Sequence, residues 1–385
     1  MNPLPPLSLY LHFPWCVAKC PYCDFNSYSL NGELPGREYV SALIAELQQQ
    51  SAELCERPLV SIFMGGGTPS LFPPEELQRL MDAVRDRFVL LDDCEITLEA
   101  NPGALEHSAF TGYREAGINR LSLGAQSFSD AMLNSLGRVH NSADIFTAYA
   151  EARAAGFDNI NLDLMYALPK QTLESACADI AAAIELQPEH ISYYHLTLEP
   201  NTVFYARPPA GLPDEDWAWE IQSAGAASLN AAGYENYEVS AWGKPGRFSQ
   251  HNLNYWNYGD YLGLGAGAHG KLTDSAGVHR EQRVAHPRAY LQTTGIGEQL
   301  TTTLVDEQNR VFEFMLNAMR LRNGVSQQQF ERYTGLPVSH LAPGLAQAAE
   351  RKLVEVSSAG HIRPTPHGWR FLDDLQAVFL PPAQN

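Results

Sequence analysis

LYLHFPWCVAKCPYCDFNSY, residues 9–28, is a short apolar strand, Leu9–Phe13, that runs straight into a loop carrying Cys16, Cys20 and Cys23. The spacing is C-x3-C-x2-C, with Phe25 two residues past the third thiol. Three cysteines this close can be gathered around one inorganic centre without straining the backbone. They are one ligand short of a closed zinc site, and no second C-x2-C or H-x3-H pair follows to complete one. A four-iron cluster held by three thiolates would instead leave one iron open to an outside ligand, whereas electron-transfer clusters take four cysteines. The competing readings of the same trio are a structural metal, or a disulfide with a spare thiol.

Outward from this loop the chain alternates between two periodicities. REYVSALIAELQQQ (37–50) sets Val40, Leu43, Ile44 and Leu47 on one helical face, and LVSIFMGGGTPS (59–70) reads as a buried strand ending in a glycine loop. PPEELQRLMDAVRDRF (73–88) is again helical, with Leu77, Leu80, Met81, Val84 and Phe88 inward. Strands follow in EITLEANPG (95–103), NRLSLGAQSF (119–128), NINLDLMYALPKQT (159–172) and HISYYHLTLEP (190–200). Helices separate them: LEHSAFTGYREAG (105–117), SADIFTAYAEARAAG (142–156) and TLESACADIAAAIEL (172–186), the last with Leu173, Cys177, Ile180 and Ile184 as its apolar face. This is the pattern of parallel βα units, and right-handed crossovers make six of them an arc or partial barrel. Cys16, Cys20, Cys23, the Gly65–Thr68 loop, Glu99, Gln126 and Asp163 all fall at or just beyond the C-terminal ends of predicted strands. That rim is where parallel α/β folds bind ligands, because the loops converge there.

Composition narrows the class. The 385 residues are 45% hydrophobic with no apolar run long enough to span a bilayer, and MNPLPPLSLYLHF lacks the basic segment and cleavage site of a secretory signal. Six cysteines, three of them clustered, suit a reduced cytoplasmic protein. A net charge of −18 with scattered lysines and arginines weighs against nucleic acid and anionic membranes as partners. It leaves room for a local basic pocket that takes carboxylates. Cys55, Cys94 and Cys177 read as structural.

The cysteine motif, with Tyr22 just before the third thiol, resembles the radical S-adenosylmethionine (SAM) superfamily, and LYLHFPWC…CPYCDF resembles its oxygen-independent coproporphyrinogen III oxidase-like branch. The resemblance implies an α/β fold, a (β/α)6 partial TIM-like barrel over residues 1–236. It implies a [4Fe-4S] cluster on Cys16, Cys20 and Cys23. It also implies SAM contacts at Tyr10, Gly66, Gly67, Thr68, Glu99, Gln126, Arg138 and Asp163. On residue chemistry alone each of these could be a surface group or a helix cap, and Arg138 could pair with Asp163. Phe25 stands where the oxidases carry a further cysteine, which tips the resemblance towards the haem chaperone branch and away from decarboxylation.

Residues 237–300 are aromatic and glycine-rich, reading as short strands and loops that close the open side of the arc. Within them HNLNYW (251–256) fits the HNxxYW motif of the haem chaperone branch, which implies His251 as a haem contact. An imidazole is the commonest haem ligand, and Tyr255 and Trp256 offer flat apolar area for a porphyrin. The bland alternative is a lid strand with packed aromatics and a hydrogen-bonded histidine. His269 in GAGAHG is a candidate second contact, while His12 and His195 read as core or rim. From 301 to 385 three helices and a hairpin suggest a winged-helix-like domain in a structural or docking role. The expected function is a cytoplasmic haem chaperone that binds cluster, SAM and haem and passes haem to acceptor proteins. Membrane contact would come only through a client, and a homodimer is left open. No catalytic residue is assigned. The competitors are the coproporphyrinogen III oxidase itself and an iron–sulfur-sensing DNA-binding regulator.

Overall fold

The computed structural model describes residues 4–103, 109–292 and 300–381. Six strands recur as the periodicity requires: β1 (Leu7–Phe13), β2 (Leu59–Gly66), β3 (Leu90–Ala100), β4 (Arg120–Gln126), β5 (Ile160–Tyr166) and β6 (His190–His195). They pair in that order, all parallel. Helices return the chain between them: α1 (Gly36–Gln48), α2 (Pro74–Arg87), α3 (Phe110–Glu115), α4 (Ser142–Ala154) and α5 (Leu173–Glu185). The predicted third helix is seen from Phe110, and its stretch over 105–108 lies outside the described residues.

One face of every strand packs on these helices. Leu7, Leu9, Leu11 and Phe13 of β1, Ile62 and Met64 of β2, and Leu121 and Leu123 of β4 belong to a single buried core. Alternation then sends the residues between them to the other face, and these are polar: Ser8, Ser61, Glu95, Arg120, Asn161 and His190 are all buried there. A buried polar group must find a partner, and this face satisfies itself in a lower tier. Ser8 Oγ lies 2.7 Å from Ser61 Oγ, Asn161 donates to Ser122 Oγ at 2.7 Å, and His190 Nδ1 lies 2.6 Å from Asn161 Oδ1.

The predicted closure by residues 237–300 takes a specific form. A helix, α6 (Glu215–Ala231), leads to β7 (Glu235–Glu238) and β8 (Ala241–Gly243), which extend the sheet antiparallel beyond β6. The chain then crosses to the opposite edge. There β9 (Asp260–Leu264) joins β1 as a seventh parallel strand, followed by the antiparallel β10 (His269–Asp274), β11 (Gly277–Arg283) and β12 (Leu300–Leu304). Between the two edges HNLNYW is neither strand nor loop but a helix, α7 (Gln250–Trp256). Its local cap is Ser249, whose hydroxyl accepts the Asn252 N–H at 3.3 Å. The stronger cap comes from another part of the chain. The Glu95 carboxylate on β3 accepts the backbone N–H groups of Gln250 and His251 at 3.1 Å each, satisfying first-turn donors that have no partner within the helix. No window of local sequence carries that signal.

In α5 Ile180 of the predicted face is buried and Leu173 and Ile184 pack against the core, while Cys177 is only partly covered and Ala176, Asp179 and Ala183 are buried beside them. Asp179 is a tether. Its carboxylate takes the Ser127 hydroxyl at 2.8 Å and the Phe128 N–H at 2.6 Å, fixing the loop after β4.

The C-terminal unit has its own core, built on α8 (Glu307–Ala318), α9 (Gln327–Thr334) and α10 (Ala342–Glu350). A three-stranded sheet of Val325–Ser326, His361–Pro364 and Val354–Val356 completes the winged-helix-like arrangement. Tyr258 and Val278 are buried in the same core, so the segment that closes the sheet also seats this unit.

Candidate functional site

At the C-terminal ends of the strands the polar face is no longer self-satisfied, and it opens into a cavity of about 350 Å3. Cys16, Cys20 and Cys23 line it, all free and half-buried. Burial pushes the Cys16 and Cys23 thiols up. The Thr68 hydroxyl opposes that at Cys16, and the Phe25 backbone and Ser27 hydroxyl oppose it at Cys23. Among the described residues no three His, Cys, Asp or Glu side chains converge tightly enough to hold a single metal ion. Three thiols on the wall of one cavity are the donor type that holds an iron–sulfur cluster.

The glycine loop is zipped to the cysteine loop by backbone bonds. Gly67 N–H donates to Phe13 O and Thr68 N–H to Trp15 O, both at 2.7 Å. A Cβ on Gly67 would sit 2.6 Å from Trp15 O and 2.8 Å from Phe13 O, so this approach needs glycine. Gly66, at φ +113°, turns its N–H onto Glu99 Oε2 at 3.1 Å.

Gly66, Gly67, Thr68, Glu99, Gln126, Arg138 and Asp163 line the same cavity, as the sequence predicts. Arg138 does not pair with Asp163. Its guanidinium donates to Cys20 Sγ at 3.5 Å, Gly124 O at 3.0 Å and Asn101 Oδ1, and its buried Nε has no partner among the described residues. Asp163 is held by the Ser122 hydroxyl at 3.0 Å and the Asn161 amide at 2.8 Å, and burial still raises its pKa. Glu99 is pushed up to about 8, mainly by burial, then by the Asp163 charge, against the Gly66 N–H. Gln126 ends β4 at φ +67°, where L residues are disfavoured by about 1–2 kcal/mol, and accepts the Tyr194 hydroxyl at 2.6 Å.

Tyr10 is the predicted SAM contact that lies outside this cavity. Its hydroxyl is 2.9 Å from His12 Nδ1, and it lines a second cavity of about 420 Å3 behind the Gly66–Glu99 wall, with His12, Phe25, Phe63, Tyr255 and His269. His251 reaches neither. It is 1% exposed, with Nδ1 2.9 Å from Ser61 Oγ and its ring stacked on Phe63, one layer beneath the second cavity. Sequence reasoning missed Asn101 and Tyr194, which hold Arg138 and Gln126. The signal for Asn101 was its place two residues past Glu99 in LEANP. It also missed Glu95, for which no local signal exists.

The donor set fits the implied groups. Three thiols and a guanidinium line the cavity together with two carboxyl groups whose pKa values burial raises. A cationic ligand would relieve those carboxylates, as SAM would with its sulfonium and ammonium groups.

The sheet and this cavity define a radical SAM protein, and the Radical SAM superfamily model matches residues 10–182. The HemN C-terminal domain model matches residues 305–371. Among solved structures, coproporphyrinogen III oxidase (HemN) from Escherichia coli superposes with a TM-score of 0.82 at 25% identity, covering 98% of this chain and 90% of that one. Relatives named heme chaperone HemW are similar over nearly the whole length. The Escherichia coli protein is 47% identical over 382 residues, 99% of this chain and 100% of the relative. The Haemophilus influenzae protein is 46% identical over 385 residues, 99% of each. The Bacillus subtilis protein is 37% identical over 357 residues, covering 91% and 93%. The chain belongs to the HemW family.

Proposed function

We propose that the protein is a haem chaperone built on a radical SAM scaffold, holding a cluster and SAM in the first cavity and delivering haem to acceptor proteins. Cys16, Cys20 and Cys23 would hold the cluster, with Arg138 donating to the Cys20 sulfur. Gly66, Gly67 and Thr68 would offer backbone and hydroxyl groups to SAM, Glu99 and Asp163 would face its cationic groups, and Gln126 and Arg138 would fix its remaining polar edges. When bound, the cluster would supply one electron and an open iron. The observation that carries the chaperone reading is Phe25, an exposed ring on the wall between the two cavities, where the oxidase branch has a cysteine. Thiol chemistry at that position is replaced by an apolar surface.

The test is anaerobic reconstitution with iron and sulfide, then loading with haem and transfer to a haem-free acceptor, read by the acceptor's Soret band. Transfer without turnover of coproporphyrinogen III is expected. Formation of protoporphyrinogen at an enzymatic rate, with no haem transfer, would reverse the assignment. A cysteine loop that takes up zinc and no cluster would undo it from the start. Among the described residues no helix is long and apolar enough to cross a membrane.

A further inference from the structure

Resting on the cluster-binding reading, we infer that Asn101 is a positioning residue: it fixes the direction of a hydrogen-bond chain between Arg138 and Thr68 and so presents a donor to the sulfurs of Cys20 and Cys16 in the SAM-free cavity. The direction follows from donor and acceptor chemistry. A guanidinium only donates. Arg138 therefore faces the Asn101 carbonyl oxygen, to which its Nη2 donates while also reaching Gly124 O at 3.0 Å. The Asn101 amide N–H is left pointing the other way, and it donates to Thr68 Oγ1 at 3.0 Å. A hydroxyl that accepts at its oxygen keeps its one proton for another acceptor. Burial raises the Cys16 thiol's pKa, and the largest influence against it is the hydroxyl of the buried Thr68. At the other end Arg138 Nη1 donates to Cys20 Sγ at 3.5 Å.

The chain gathers groups from four strand ends. The cysteines follow β1, Thr68 follows β2, Asn101 follows β3, and Arg138 stands in the connection after β4. Gly124 of β4 leaves the Asn101–Arg138 pair its room, since a Cβ there would stand 3.1 Å from Asn101 Oδ1 and 3.3 Å from Arg138 Nη2. Cys23 lies outside the chain, its Sγ 3.9 Å from the Ser27 hydroxyl. Asn101 accepts and donates through two fixed atoms, whereas the Thr68 hydroxyl can rotate, so the amide sets the sense of the whole. Hydrogen bonds to the sulfurs help to set an iron–sulfur reduction potential, because a donor stabilises the more negative, reduced form. Asn101→Asp keeps the shape and the acceptor for Arg138 but has no N–H for Thr68. The hydroxyl would then turn to the carboxylate, and Cys16 would lose its donor.

The test is the midpoint potential of the reconstituted full-length protein without SAM, from a mediated redox titration read by electron paramagnetic resonance. Asn101→Asp is expected to lower the reduction equilibrium constant roughly tenfold, a downward shift of about 59 mV for a one-electron couple. Asn101→Ala, which adds no charge, is expected to shift the potential the same way by less. Thr68→Val, which removes the hydroxyl, should also lower it, and in that background Asn101→Asp should act more weakly because only its added charge remains. A wild-type potential in either Asn101 variant would overturn the inference. So would an Asn101→Asp shift of equal size with and without the Thr68 hydroxyl, the mark of charge alone. Both results leave the cluster in place. Wild-type protein that takes up no cluster would instead defeat the cluster-binding reading and this inference with it.

Discussion

The Glu99 carboxyl makes the charge balance of the first cavity measurable. Its folded value of about 8 stands against an ordinary 4.5, with burial as the main cause and the Asp163 charge second. For a carboxyl raised in the folded state the sign is fixed. Below about pH 4.5 it is protonated folded and unfolded alike, and its contribution is fully present. As pH climbs towards 8 only the unfolded chain ionises, so stability is lost across that window. Between 4.5 and 7 the chain traverses about two and a half pH units at about 1.4 kcal/mol each, or ~3 kcal/mol. Partial exposure to the cavity reduces this to about 2 kcal/mol. Glu99→Gln keeps an acceptor for the Gly66 N–H and removes the titration, while Asp163 stays in both proteins. Urea unfolding of cluster-free wild type and variant should therefore diverge by about 2 kcal/mol in favour of the variant between pH 5 and pH 8. The same carboxyl should release a proton when cationic SAM binds at pH 7, detectable by calorimetry in two buffers of different ionisation enthalpy, and the variant should not. An equal stability difference at pH 5 and pH 8 would refute the reasoning.

Two further perturbations follow from buried geometry. Asp260, fully buried at the start of β9, takes Arg57 at 2.8 Å, Lys271 at 2.9 Å and the Thr273 hydroxyl at 2.7 Å. Asp260→Asn strands the buried Lys271 ammonium and should cost about 3–5 kcal/mol in denaturant unfolding, and a loss under 1 kcal/mol would show that the pair relaxes. Gly67→Ala places a methyl against two backbone carbonyls. It should cut iron and sulfide uptake on reconstitution severalfold with the far-ultraviolet circular dichroism unchanged, whereas normal uptake would mean that the two loops are not locked together.

What the sequence showed plainly was what local pattern encodes. The apolar run Leu9–Phe13 and the regular recurrence of strands and helices announced the βα units, and the cysteines, glycines and acids at strand ends announced the rim where they meet. The capping of α4 was legible within a residue: its N-cap is Asn141, with Asp144 reciprocating, rather than Ser142. What could not be read depended on partners distant in sequence. The helical state of HNLNYW rests on Glu95, 155 residues from Gln250. The polarity of the strands' inner face looks like interruption in a one-dimensional pattern. Only the closed arrangement shows that Ser8 bonds to Ser61 and Asn161 to His190 while the polar groups at the strand ends above them line a cavity.

That arrangement also accounts for the residue types in HNLNYW. Each polar position of the helix faces a different body of the fold. His251 enters the strand arc through Ser61. Asn254 joins β1 to β9, donating to Ser8 Oγ at 2.9 Å and to Asp260 O at 2.8 Å. Trp256 turns to the C-terminal unit, where Arg320 stacks on it at 4.2 Å while reaching Glu238 at 3.3 Å. Tyr255 alone of these side chains lines the second cavity. The motif is thus a junction that holds the floor beneath the cavity, the seventh strand and the C-terminal unit in register.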